Sequence, residues 1–289
     1  SNSYGAYVQN HASVLKEKMQ FVVGARLDGL AQDTITLALP RRTSYTPPNV
    51  ITPRYAVLVH PTKDTMLYAT YGESFRPDVS GRPIFGSTAK LDPTTGVLHE
   101  VGAKTRFYES RLSVEVDVFE LTREGIVVGD PDHANFVLQS GRERSRGYAI
   151  SFNTDPLPGL TFFGGYAYSD PRIVSDSNRA LIGRQLQGTP KNSFNAFAKY
   201  RVASGALKGL GVGAGVRWVD ERPGATNTTL RFPGYTVVNS QINYAWRNYA
   251  FNVAINNLFD EFYWANVAAF NGNRAGPPLA YRASVRVKF

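Results

Sequence analysis

The sequence contains no cysteine in 289 residues. Disulfide frameworks, thiolate metal sites and a cysteine nucleophile are therefore excluded, although the compartment is left open. Nor does it contain an apolar run approaching the roughly 18 residues that a membrane helix needs. Apolar spacing at the helical period is almost absent. Histidine is scarce: His11, His60, His99 and His133 are scattered, with no two at ligand spacing. The nearest approach to a metal motif, Asp130-Pro131-Asp132-His133, reads as solvated turn chemistry. No hydrolytic or redox constellation is present, so the expectation is that the chain is not an enzyme and holds no resident cofactor or metal. The opening SNSYGAYVQN has no charged-then-apolar leader, which fits either a leaderless soluble protein or an internal piece of a longer one.

What the sequence does contain is 43% apolar residues, 16 Tyr, 17 Phe and a net charge of +9. The apolar content suffices for a core, and the charge favours an anionic partner: nucleic acid, lipid headgroups or an acidic ligand. Nucleic acid is the weakest of these, since no recognition helix or basic-aromatic platform appears. The dominant signal has period two. Leu112, Val114, Val116 and Val118 alternate with Ser113, Glu115, Asp117 and Phe119, and Leu210, Val212, Ala214, Val216 and Trp218 alternate with glycines and Arg217. The spacing predicts an all-β chain of about thirteen strands. Their expected places are 4–13, 18–28, 51–60, 65–75, 100–109, 111–121, 136–153, 159–169, 191–202, 209–220, 234–245, 248–258 and 279–289.

The connections alternate strictly between short and long, which puts every long loop on one side of an up-and-down sheet. Greek-key sandwiches have no reason to keep that order, whereas outer-membrane barrels do. Most strands also reach the roughly 9–11 residues that a tilted membrane strand requires. Aromatics near strand ends, among them Tyr68, Tyr71, Tyr166, Tyr168, Tyr200, Trp218 and Trp246, suit a headgroup boundary. In the final strand Tyr281, Ala283, Val285, Val287 and Phe289 then meet lipid, while Arg282, Ser284, Arg286 and Lys288 meet a wet interior. Phe289 is expected to close the sheet.

The segment NLFDEFY (Asn257 to Tyr263), followed by a Gly/Pro-bearing loop and a last alternating strand, resembles the C-terminal end of TonB-dependent outer-membrane receptors. Stretches such as TPRYAVLVHPTKDTMLYATYGESFRP (Thr52 to Pro77), GRERSRGYAISF (Gly141 to Phe152) and LKGLGVGAGVRWVDER (Leu207 to Arg222) resemble the ferric-siderophore branch. One departure is GPPLAYRASV near Gly276, where the family usually has Pro-Arg before the last strand. The resemblance implies a transmembrane antiparallel up-and-down β-barrel of about 22 strands around an N-terminal plug. Residues 1–289 would then be its C-terminal half to two-thirds, without leader, plug or about nine strands. It further implies import of a ferric siderophore, iron arriving with the ligand, driven by the TonB-ExbB-ExbD complex through the plug. A passive porin-like channel, uptake of a non-iron substrate, and a soluble sheet-rich protein remain as alternatives. Aromatic and donor-bearing residues on the long-loop side, Tyr45, Phe75, Arg76, Phe85, Tyr263, Trp264 and Phe270, are the candidate ligand contacts. Arg142, Arg144 and Arg146, on one face of their strand, are expected on the lumen or plug-facing wall with Arg282 and Arg286. There they would either pair with Glu and Asp of a neighbouring strand or draw in anionic chelates.

Overall fold

The computed structural model describes residues 2–36, 41–77, 84–87, 91–267 and 272–288, with the side chains of 32–45 excepted. Among these residues the regular structure is strand, joined by turns and loops, apart from one 3-10 turn at Arg179–Leu181. The first strands are β1 (Asn2–Val14), β2 (Met19–Thr36), β3 (Arg41–Tyr45), β4 (Val50–Val59) and β5 (Thr65–Arg76). Four longer strands follow: β6 (Thr94–Phe107), β7 (Leu112–Gly129), β8 (Val137–Leu157) and β9 (Leu160–Ser175). Then come β10 (Asn192–Arg201), β11 (Leu210–Val219), β12 (Arg222–Pro223), β13 (Arg231–Phe232), β14 (Tyr235–Trp246) and β15 (Tyr249–Asn256). The last are β16 (Trp264–Asn266), β17 (Arg274–Ala275) and β18 (Ala280–Val287). One sheet follows chain order through β1, β2, β4 to β11, β14, β15 and β18, which are thirteen strands, with β3 attached to β2. The expected strand count and antiparallel up-and-down order are what the described residues show.

The long connections are shorter than expected, because β2, β6, β7 and β9 continue well past their expected ends, to Thr36, back to Thr94, to Gly129 and to Ser175. In those extensions the apolar residues, such as Val97 and Leu98, Ile126 to Val128, and Ile173 and Val174, stand next to one another rather than at every second position, so period two does not announce them. Three small hairpins, β2 with β3, β12 with β13 and β16 with β17, lie inside stretches expected to be loop.

The contacts divide the chain into two compact units. The first comprises Ser1–Gly102, Val118–Arg146 and Pro171–Arg184. In it, Val8 faces Ala25, Ala25 faces Pro53, Leu27 faces Ile51 and Tyr55 faces Tyr71. These residues share one apolar face, and they are not covered: Val8 is 71% and Ile51 64% exposed. At its long-loop end, Asp130 closes the β7–β8 connection. Its Oδ1 accepts from the backbone N–H of Asp132 at 2.9 Å and of His133 at 3.2 Å, and its Oδ2 lies 3.1 Å from His133 Nδ1. This is the turn chemistry expected of Asp130 to His133.

The second unit comprises Ala103–Asp117, Gly147–Asp170 and Gln185–Phe289. Tyr200, Val212, Ile242, Val253 and Ala283 stand opposite one another across five strands, and Tyr244, Phe251 and Val285 form the next apolar row. Val285 is 59% exposed. Phe289 lies outside the described residues. After β15 the chain turns on Asn257, which is 2% exposed. Its Nδ2 donates to the carbonyls of Glu261 (2.9 Å) and Pro277 (3.1 Å), and its Oδ1 accepts from Glu261 N–H at 2.9 Å. Asp260 Oδ1 accepts from Leu279 N–H at 2.8 Å, so the NLFDEFY segment and the residues before the last strand are tied together at both ends. Gly276 packs under Tyr263: a Cβ there would lie 2.0 Å from the ring.

Asn257→Ala removes three hydrogen bonds in a buried turn and leaves their partners unsatisfied, a loss on the order of 3 kcal/mol. A clearly lowered unfolding midpoint of the complete protein in lipid is the expected result. The Asp130 carboxyl is held below the usual aspartate range, chiefly by the Asp132 N–H and further by His133, against an opposing effect of burial. A depressed folded pKa stabilises fully above the unfolded value and ceases to do so as pH falls through the folded one. Protection of the Asp132 and His133 amides, taken against the exchange of an unstructured peptide at the same pH, should therefore fall below about pH 4, and in Asp130→Ala at neutral pH.

Candidate functional site

The face opposite the apolar one is lined by donors. In the second unit Lys199 faces Gly213, Gly213 faces Gln241, Gln241 faces Ala254 and Ala254 faces Arg282. The adjacent row runs Arg201, Gly211, Asn243, Asn252 and Ser284, and Arg286 stands one step further on. Arg282 and Arg286 thus occupy the polar face. The glycines of GLGVGAG are overlaid by neighbours rather than by a phosphate: a Cβ on Gly213 or Gly215 would lie 2.8 Å from the Phe197 ring.

At the long-loop end of the same unit, β11 and β14 carry the buried cluster Val219, Tyr235 and Val237, with Tyr263 packed on it. The Tyr235 and Tyr263 rings lie 4.5 Å apart. Arg222 is 4% exposed, stands 5.4 Å above the Tyr235 ring, and donates from Nη2 to the Trp264 carbonyl at 2.5 Å. Burial lowers its guanidinium pKa from the usual value, and its Nε finds no hydrogen-bond partner in the described structure. Trp264 stands edge-on to Phe232 and to Phe262, each at 5.5 Å. Tyr263 and Trp264, two of the expected ligand contacts, are therefore brought together, with Tyr263 anchored in the cluster. Phe270 lies outside the described residues. Arg222 and Tyr235 are members that the sequence did not single out. The available signal was an arginine beside Pro223-Gly224 at the head of a long connection, and nothing in the spacing separates it from Arg231.

In the first unit the remaining candidates scatter. Phe75 and Arg76 are neighbours within β5, so they face opposite sides: Arg76 shares the face of Gly72, opposite Arg54, and Phe75 that of Tyr71. Arg76 lies within electrostatic reach of Glu143. Phe85 stacks on His133 with centroids 3.4 Å apart and meets Phe136 edge-on at 5.2 Å. Tyr45 ends β3 with its backbone opposite Gln32, and its side chain lies outside the described ones.

The arginine triple needs correction. Arg146 pairs with Glu120 and Arg142 with Glu124 at 2.9 Å, whereas Arg123 pairs with Glu143, also at 2.9 Å, on the opposite face. Glu120 is two residues from Val118, an exposed apolar residue, and lies within reach of His99, which packs on Tyr71 at 5.2 Å. Arg142, Arg144 and Arg146 thus lie on the side of the first unit that carries the apolar stripe, not on the side where Arg123 meets Glu143. The expected pairing with neighbouring carboxylates does occur, but on the other face, because strict alternation along β8 leaves the three no choice. Among the described residues no group of three or more His, Asp or Glu is placed to hold a metal.

Comparison with known proteins follows the same lines. A family described as "TonB dependent receptor-like, beta-barrel" matches residues 1–258. The metal-pseudopaline receptor CntO of Pseudomonas aeruginosa (strain UCBPP-PA14) is 30% identical over 255 residues, covering 86% of this chain and 36% of that protein. The ferric-pyoverdine M114 receptor PbuA of Pseudomonas sp. (strain M114) is 26% identical over 304 residues, covering 99% and 36%. The chain thus spans about a third of the length of these relatives. Among solved structures, the ferric preacinetobactin receptor BauA from Acinetobacter baumannii superposes with a TM-score of 0.81 at 21% identity, over 98% of this chain and 42% of that one. With the two-faced antiparallel sheet, these matches place the chain in the TonB-dependent receptor β-barrel family.

Proposed function

We propose that the chain is a stretch of barrel wall from an outer-membrane receptor that imports a ferric siderophore. The observation that carries this reading is the division of the sheet into two faces. One bears exposed Val, Ile and Tyr side chains, which only hydrocarbon solvates well; the other bears Lys, Arg, Asn and Gln, which need water or a polar ligand. The two edge strands, β1 and β18, each pair on one side only among the described residues. In hydrocarbon such edges require further strands, which fits residues 1–289 as one part of a larger closed barrel. The receptors for metal-pseudopaline and ferric pyoverdine among the relatives support a metal chelate as cargo. The partners of this reading are the ferric siderophore, outer-membrane lipid, and the TonB-ExbB-ExbD complex acting through a plug domain. Iron enters and leaves with its chelator, so the wall needs neither a resident cofactor nor a catalytic residue. In the second unit Trp264 is the ligand contact we retain, with Tyr263 holding it in place.

Spin labels at Val285 and Arg286 of the complete receptor in bilayers should respond oppositely: dissolved oxygen relaxes the first more strongly, a water-soluble relaxant the second. The same response at both positions would refute the two-faced arrangement. Ile242→Arg should cost about 2–4 kcal/mol in lipid if its site lies near the bilayer midplane. For cargo, the complete receptor is tested for binding and uptake with a panel of iron-loaded chelates under iron starvation. At least one should be taken up, and Trp264→Ala should weaken its binding about tenfold. Uptake of a sugar or cobalamin and of no iron chelate would overturn the substrate while leaving the fold intact.

A further inference from the structure

Three long connections of the second unit meet at its two small hairpins. Hairpin β12–β13 holds only the pairs Arg222 with Phe232 and Pro223 with Arg231, and hairpin β16–β17 only Trp264 with Ala275 and Asn266 with Arg274. Two ladder pairs do not keep a hairpin in place in water, so what each hairpin docks on decides where it stands. They dock on each other: Arg222 Nη2 donates to the Trp264 carbonyl, and Phe232 meets Trp264 edge-on. The connection that leads into β10 enters between them at Gly188. Its N–H donates to the Pro223 carbonyl at 2.8 Å, its φ is +70°, and a Cβ there would lie 2.5 Å from the carbonyl oxygen of Val267, itself buried. A side chain at this position would be strained in conformation and would clash. Arg231 adds a longer bond from Nη1 to Gln185 Oε1, 3.4 Å.

Stability does not account for the arginine at this junction. Arg222 is enclosed by the second unit's own residues, and a buried guanidinium without a carboxylate is costly. Two carboxylates precede it in sequence, and neither is spent on it. Asp220 accepts from Asn192 Nδ2 at 2.6 Å and from the Glu221 N–H at 2.8 Å, and Glu221 lies 3.5 Å from Arg231. The Tyr235 ring and the Trp264 carbonyl are what Arg222 meets instead, and its Nε stays unsatisfied although buried. An apolar side chain of similar length would fill this space at lower cost. What it could not do is hold a carbonyl of the other hairpin.

We propose that Arg222 is a positioning residue for cargo recognition: it fixes the backbone of Trp264 and, with Gly188, locks the three connections into one preformed recognition surface. This role rests on the import reading and deepens it. Trp264 is presented ready-made, so cargo binding does not have to order the hairpin that carries it.

The test uses the complete receptor in bilayers, labelled with 5-fluorotryptophan, with ferric pyoverdine and ferrichrome as probes beside the rest of the chelate panel. The fluorine resonance that disappears in Trp264→Ala belongs to Trp264. It should shift and broaden in Arg222→Met and in Gly188→Ala, and stay in place in Arg222→Lys, which keeps a donor for the carbonyl. Affinity for the chelate that wild type binds should fall about fivefold in Arg222→Met, since binding must now order the hairpin. Added to Trp264→Ala, the same substitution should cause no further loss, and it should not lower the unfolding midpoint, because an isolated buried charge has been removed. An unmoved resonance in Arg222→Met overturns the positioning role, and an unmoved one in Gly188→Ala removes the third connection from the surface. A loss of equal size in the Trp264→Ala background, or a lowered midpoint with it, marks a merely structural arginine and overturns the role as well. If wild type binds no iron chelate but takes a sugar or cobalamin, the iron reading fails, and Arg222 stands or falls on the resonance and on the same pair of variants with that cargo.

Discussion

A backbone N–H in hydrocarbon has no water to fall back on, so a strand that crosses a bilayer must find its partners in adjacent strands. Long antiparallel ladders follow from that, and so does the rest of this chain. Once the ladders are fixed, each strand has two faces and each face one solvent. Tyr200, Val212, Ile242, Val253 and Ala283 line up across five strands for one reason, and Lys199, Gly213, Gln241, Ala254 and Arg282 for the complementary one. A slip of a single residue would exchange the sets and bury arginine in lipid, so the pattern pins the register throughout.

The constraint lapses where strands leave the hydrocarbon. There β7 and β8 continue as strand, but their apolar-face positions are filled by Glu120, Glu124, Arg142, Arg144 and Arg146 rather than by valine. Ion pairs across the ladder replace the lipid contact. Such pairs between partly exposed groups contribute little stability each; their consequence is that the strand can extend into water without presenting greasy surface. The ends are held by local chemistry instead: Asp130 organises one connection in the first unit, and Asn257 with Asp260 organises one in the second.

The candidate contacts sort by the same logic. Tyr263 is fixed against Tyr235, and Trp264 is held by the Arg222 bond to its carbonyl and by two edge-on rings. An aromatic on a supported loop is a better recognition element than one on a free loop, since less ordering is needed on binding. Phe75 and Arg76 cannot act together in that way, because adjacent strand residues face opposite sides.

The period-two pattern and the alternation of connection lengths were enough to read strand number, order and the identity of the two faces, since both are local consequences of which solvent each side chain meets. The polar-face position of Arg282 and Arg286 was legible for the same reason. Strand ends were not, because outside the lipid the sequence no longer needs to alternate. Nor was the side taken by Arg142, Arg144 and Arg146: charge alone suggested an inner wall, whereas parity along β8 and pairing with Glu120 and Glu124 put them opposite. Grouping Arg222 with Tyr235 required the fold, since they lie on different strands and only the pairing of those strands with their neighbours brings the guanidinium over the ring.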